Sequence, residues 1–157
     1  MTIVLYRVDD RLIHGQVVVG WGRALDVGFI VLVDAMVAES PWEQELYRLG
    51  VPPSMEILFA DAAEAVRRLP DWQGDPRRGM VLTADIATMA ALRRADASIR
   101  RINIGGIHHR PGRVERLPYL YLSEDELRVL RTLQADGAEV SAQDLPTARA
   151  VSLDSLT

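Results

Sequence analysis

Apolar residues in this chain alternate between short dense runs and longer stretches where they recur every three or four positions. The dense runs are Ile3–Val8, Phe29–Val33, Met55–Ala60, Met80–Thr83 and Ile99–Ile104, and each predicts a strand. Nothing polar interrupts Phe29–Val33, the pattern of a parallel strand buried on both faces. Residues 116–122 and 138–142 add one or two short strands, while residues 71–78 and 105–116 read as loops. The tail after Leu145 reads as a fraying end.

The spaced stretches carry helix starts. Ser40-Pro41-Trp42-Glu43 has an N-cap serine, a first-turn proline and the glutamate of a capping box, with Leu46 and Leu49 as an inward stripe and Gly50 as the end. Asp61 and Glu64 repeat that start, with Val66 and Leu69 inward and Pro70 as the stop. Asp85 caps a helix carrying Ile86, Met89 and Leu92. Ser123 and Glu126 open a further helix through Leu127, Leu130 and Leu133, closed by Gly137. A helix after His14 places Val17, Val18, Trp21, Ala24 and Leu25 on one broad face, and close packing on the sheet would account for Gly20 and Gly22 within it.

Strand–helix alternation of this kind predicts an α/β fold. We expect an open, mostly parallel central sheet of about six to seven strands with helices on both faces, in a single domain over residues 1–157. Strand 1 is expected at the centre, with a switch point between strands 1 and 4 and a site at the strand 1/helix 1 corner, where such sheets bind ligands.

Composition narrows the functions. The net charge of −4 gives no excess of positive charge for nucleic acid. No apolar run has membrane-spanning length and no signal peptide is visible, which predicts a cytoplasmic protein. With no cysteine there is neither a disulfide framework nor a thiolate metal site. All 18 basic residues are arginine, so a lysine nucleophile is excluded.

Candidate chemistry concentrates in RVDDRLIHGQV, residues 7–17. His14 falls just after a strand and at the start of a helix, whose free N–H groups and dipole favour an anion such as phosphate. A lone loop histidine is usually a solvated or capping side chain, but its neighbours argue otherwise. Asp9 and Asp10 are placed to hold one ring nitrogen and leave the other available, although turn formation and helix capping would also explain them. Arg11 can neutralise a phosphoryl group by charge-assisted bonds, and Gly15 lets the backbone approach it. His108-His109-Arg110 follows strand 5, either as a polar loop or beside the His14 site. No metal motif fits, and no GxGxxG follows strand 1, which argues against a dinucleotide. Met36 and Val37, after strand 2, are candidates for an apolar docking rim or for ordinary loop packing.

The run RVDDRLIHGQV followed by Trp21 resembles the enzyme IIB component of the mannose/fructose/sorbose family of bacterial sugar phosphotransferase systems. GVPPSMEI (50–57), MVLT (80–83) and INIGGI (102–107) match that family in the same order, so the resemblance covers nearly the whole chain. Several members carry a lysine near the position of RPGR, where this chain has only arginines.

The resemblance implies a phosphocarrier, a protein-phosphohistidine–sugar phosphotransferase. His14 would take a phosphoryl group on Nδ1 from a phosphohistidine of a IIA partner and pass it to a sugar held by the membrane IIC and IID permease. Arg11 would bind or steer the group and Asp10 would orient the loop or the ring. Gly15, Gln16 and the helix amides would add hydrogen bonds, and Thr83 would contact the phosphate across the switch point. The family needs no cofactor and no metal in this domain. It implies peripheral association with the permease and leaves a homodimer open. Two other readings stand beside it: a regulatory IIB-like module without transport, and a small phosphate- or nucleotide-binding protein.

Overall fold

Within residues 2–156, which the computed structural model describes together with the backbone but not the side chain of Gln16, nine strands form. They are β1 (Ile3–Val8), β2 (Phe29–Val33), β3 (Glu56–Ala60), β4 (Gly79–Thr83), β5 (Arg101–Ile104), β6 (Val114–Leu117), β7 (Leu120–Leu122), β8 (Glu139–Ala142) and β9 (Val151–Ser152). Seven of them make one sheet in the order β3-β2-β4-β1-β5-β8-β9, with β1 at its centre. All neighbours are parallel except β9, which runs antiparallel to β8. The remaining pair, β6 and β7, is a separate antiparallel hairpin, so the stretch expected as loop over 105–116 already enters a strand at Val114.

Helices cover both faces. On one lie α3 (Ala62–Gln73), α4 (Ile86–Ala95) and α5 (Glu124–Ala135); on the other lie α1 (Ala35–Ala38), α2 (Pro41–Leu49) and a π-helical segment, Gln16–Gly22. The strands serve both layers because successive side chains point to opposite faces. Phe29, Val31 and Val33 pack in the first core, while Ile30 and Leu32 pack in the second. The expected caps are present: Ser40, Asp61, Asp85 and Ser123 each accept a hydrogen bond from the backbone N–H three residues on. At Ser123 the full capping box closes, with Glu126 accepting from the Ser123 N–H.

Four expectations fail for physical reasons. Pro70 does not stop α3, which continues to Gln73 because Trp72 beyond it is buried in the core. The inward residue there is Ala65, while Val66 is exposed. Leu46 and Leu49 of α2 face solvent beside exposed Trp42, because α2 is held through the Gln44 amide, which donates to the carbonyls of Val37 and Ala38. The tail is ordered rather than frayed: β9 joins the sheet, and Leu153 and Leu156 of the following 3₁₀ turn are buried.

The segment after His14 is helical but wound as π, so each turn takes nearly one more residue than an α-helix does. Val17, Val18 and Trp21 still face the sheet. The wider winding turns Ala24 outward and brings Gly22 inward, where an added Cβ would lie 2.9 Å from Met55 Cε. The atom met at Gly22 is the flexible end of Met55, which can give way, and Gly20 meets only ordinary contacts with Pro146 and Leu145, so packing requires glycine at neither position.

Candidate functional site

The site grows from an arginine on β1. Arg7 and Asp9 are two residues apart on an extended chain, so their side chains emerge on the same face. Both are fully buried. The Arg7 guanidinium donates to Asn103 Oδ1, to the carbonyls of Gln143 (2.8 Å) and Asp144 (3.0 Å) and to Asp9 Oδ2 (3.1 Å), and it lies over the Trp21 ring at 4.9 Å. Burial pulls its pKa below the usual arginine value, against the pull of Asp9, yet an arginine stays charged at neutral pH.

Asp9 is the hub. Its N–H donates to the Thr83 carbonyl, anchoring it to the end of β4. Its Oδ1 accepts the Arg11 backbone N–H at 3.1 Å and Arg11 Nε at 2.9 Å; its Oδ2 accepts Arg11 Nη2 at 2.8 Å. The same Oδ2 lies 3.8 Å from His14 Nε2. Burial would raise the Asp9 pKa, but the hydrogen bonds from Arg11 and the charges of both arginines outweigh it and hold the carboxyl below its ordinary value.

Between Arg11 and His14 the backbone reverses through Leu12, at φ +57°. For a leucine that conformation costs roughly 1–2 kcal/mol. Burial of Leu12 and Ile13 in the core beneath offsets it. The reversal leaves the His14 side chain 25 % exposed with Nε2 itself buried. Burial, reinforced by the charge of Arg11, lowers the His14 pKa from 6.5 despite the opposing pull of Asp9. Burial and Arg11 thus favour the neutral imidazole over the imidazolium.

Strand β5 supplies the floor. Gly105 and Gly106 follow it, and an added Cβ would stand 2.2 Å from Arg7 Nη2 at Gly105 and 2.7 Å from Arg11 Nε at Gly106. The two guanidinium groups therefore lie against bare backbone, which is why the sequence reads Gly-Gly there.

The structure places the expected residues unevenly. His14 and Arg11 meet at Asp9. Asp10 turns away from the His14 ring: its Oδ2 accepts the His108 N–H at 2.7 Å and its Oδ1 lies 2.6 Å from His108 Nδ1, so it fastens the β5 loop to the β1 loop. The residue that faces His14 is Asp9. Thr83 stands at the β1/β4 junction, where its carbonyl accepts the Asp9 N–H and its buried hydroxyl donates to the Asp85 carbonyl. Gly15 is exposed, with open space where a Cβ would be, at the start of a helical segment that no side chain caps among the described residues. The hydrogen bonds expected of the Gln16 side chain lie outside the described residues. Of the two rim candidates, Met36 is exposed and Val37 is buried. Among the described residues no cluster of histidine and carboxylate side chains could hold a metal, and no helix is long and apolar enough to cross a membrane.

Sequence reasoning passed over Arg7, Asn103 and Asp144. Arg7 was detectable, because an arginine inside a strand, two positions before an aspartate, demands a buried partner on the same face. Asn103 and Asp144 carry no such local signal.

These elements define a class: an open α/β domain that presents a partly exposed histidine beside a buried carboxylate held by two arginines. Comparison with known proteins gives the family. The family model described as PTS system sorbose subfamily IIB component matches residues 3–157, and the chain belongs to that family. It is 28 % identical over 149 residues to the sorbose-specific EIIB component of Lacticaseibacillus casei, covering 94 % of this chain and 90 % of that one. It is 29 % identical over 149 residues to the mannose-specific EIIAB component of Escherichia coli strain K12, covering 94 % of this chain but 46 % of that protein, so it spans about half the length of that relative. The crystal structure of the IIBSor domain of the sorbose permease from Klebsiella pneumoniae superposes with a TM-score of 0.89 at 26 % identity, over 99 % of this chain and 96 % of that one. The chain is thus a sugar phosphotransferase-system IIB component, and the open, mostly parallel α/β fold is the one its relatives share.

Proposed function

We propose that this chain is a phosphocarrier in which His14 accepts a phosphoryl group from a phosphohistidine of a IIA partner and gives it to a sugar held by a membrane permease. The observation that carries this reading is the His14 ring itself: partly exposed, and turned so that Nε2 is buried near Asp9. The attacking atom is then Nδ1. Its lone pair forms the new P–N bond as the donor's P–N bond breaks, and that electron pair returns to the donor nitrogen. The His14 ring becomes cationic with its proton on Nε2, 3.8 Å from the Asp9 carboxylate. Transfer between two histidines is nearly balanced in energy, so the protein needs only to position and neutralise.

Arg11 supplies the cation, held at the loop by Asp9. Asp10 acts through the loop, by fastening it to His108. The backbone amides at Gly15 and Gln16, at the start of the helical segment, are the remaining donors for phosphoryl oxygens. The work is done at the cytoplasmic face of the membrane, where the permease is docked.

Incubation with a phosphorylated IIA protein tests the reading. We expect one acid-labile, base-stable phosphoryl group per chain; stable ester-type label, or none, would refute it. The pH dependence follows from the lowered pKa of His14. With phosphoramidate as a small donor, and free imidazole run alongside to remove the donor's own titration, the inflexion in acceptance rate should lie below the ordinary histidine value of 6.5. An inflexion above 6.5 would contradict the burial that sets it.

A further inference from the structure

Arg11 is shared. Its Nη2 lies 2.8 Å from Asp9 Oδ2 and 3.2 Å from Asp144 Oδ1. The two carboxylates differ in position: Asp9 is fully buried behind the guanidinium, whereas the Asp144 side chain is 27 % exposed at the rim. Asp144 follows β8 and is fixed there through its backbone, for its carbonyl accepts Arg7 Nη2 at 3.0 Å and Trp21 Nε1 at 3.1 Å.

The charges of these four side chains decide the consequence. Arg7 and Arg11 against Asp9 alone would leave one positive charge facing His14; Asp144 cancels it. A phosphoryl group arrives with a charge of about −1.5 to −2. It meets a cluster without net positive charge, and it competes with Asp144 for Arg11.

We propose that Asp144 is a positioning residue that weakens the hold of Arg11 on the phosphoryl group and so keeps phospho-His14 ready to give it away. The proposal rests on the phosphocarrier reading above. A site built for storage would leave Arg11 free of the second carboxylate, and the phosphohistidine would be harder to discharge. With Asp144 in place the group is held loosely enough to leave in either direction.

Asp144→Asn removes the charge and keeps both backbone anchors; Asp144→Glu keeps the charge. Each protein is brought to equilibrium with phosphoramidate and ammonia at a fixed ratio. Phosphoramidate reacts as the species protonated on nitrogen: the Nδ1–P bond forms as its P–N bond breaks, the nitrogen leaves with that electron pair as neutral ammonia, and Nε2 keeps its proton. The ratio of phosphorylated to free chain is read by intact mass, with the labelled residue assigned by peptide mapping. The asparagine variant should shift this ratio toward the phosphorylated form roughly fivefold, the upper range for a partly exposed charge pair, while the glutamate variant stays with the wild type. Equal ratios in all three, with the label on His14, would overturn the role of Asp144 and leave the phosphocarrier reading standing. Absence of label on His14 in the wild type would overturn both.

Discussion

His14→Ala is expected to lower phosphoryl acceptance to background, a loss of about 10³-fold or more, as removal of a covalent nucleophile does elsewhere. The fold should survive. The side chain is 25 % exposed, so the change in stability stays small, within about 1 kcal/mol. The comparison that matters is with His108→Ala. His108 is 70 % exposed at its side chain and bound to Asp10, so its loss should slow transfer by loosening the loop without removing the acceptor. Equal loss of label in both variants would argue that the group passes through more than one histidine.

Asp9→Ala should have the largest effect on stability. The carboxylate is fully buried and accepts from Arg7 and Arg11; removing it leaves Arg7 charged, buried and without its only anionic contact among the described residues. Breaking a buried pair from one side costs about 3–5 kcal/mol, a large share of the roughly 5–15 kcal/mol that holds a domain together. The pH dependence carries the same signature. The folded-state pKa of Asp9 is lowered, so its stabilisation is fully present above the unfolded value of about 3.8 and is lost as pH falls through the folded value. Denaturant midpoints should therefore drop between wild type and variant at pH 7 and converge in strong acid. A midpoint at pH 7 unchanged by the substitution would refute the hub assigned to Asp9.

The fold was legible because its signals are local. Five dense apolar runs became five parallel strands, and four N-caps were readable from a serine or aspartate, three of them with a glutamate three residues on. What stayed hidden depended on long-range packing. Leu46 and Leu49 follow a helical stripe, yet nothing in α2 announces that Gln44 ties its polar side to α1. The π winding after His14 is likewise invisible to a count of apolar positions, and it exchanges Ala24 for Gly22 on the buried face.

The same division runs through the site. The histidine, the arginine and the corner that joins them stand in one contiguous run, so the residues could be named from their neighbours. Their roles could not. Asp9 and Asp10 are adjacent and chemically alike, and only the direction of the chain after β1 sends Asp9 inward to Arg7 and Asp10 outward to His108. Asp144 lies 133 positions from Arg11 and meets it only because β8 lies beyond β5 in the sheet.

The central claim is that His14 takes the phosphoryl group on Nδ1 because Nε2 is turned inward near Asp9. Long-range proton–nitrogen correlation of the ¹⁵N-labelled, phosphorylated protein reports directly which ring nitrogen is bonded to phosphorus. The account predicts phosphorus on Nδ1 of His14 and a protonated Nε2. Phosphorus on Nε2, or on the ring of His108 or His109, would contradict it.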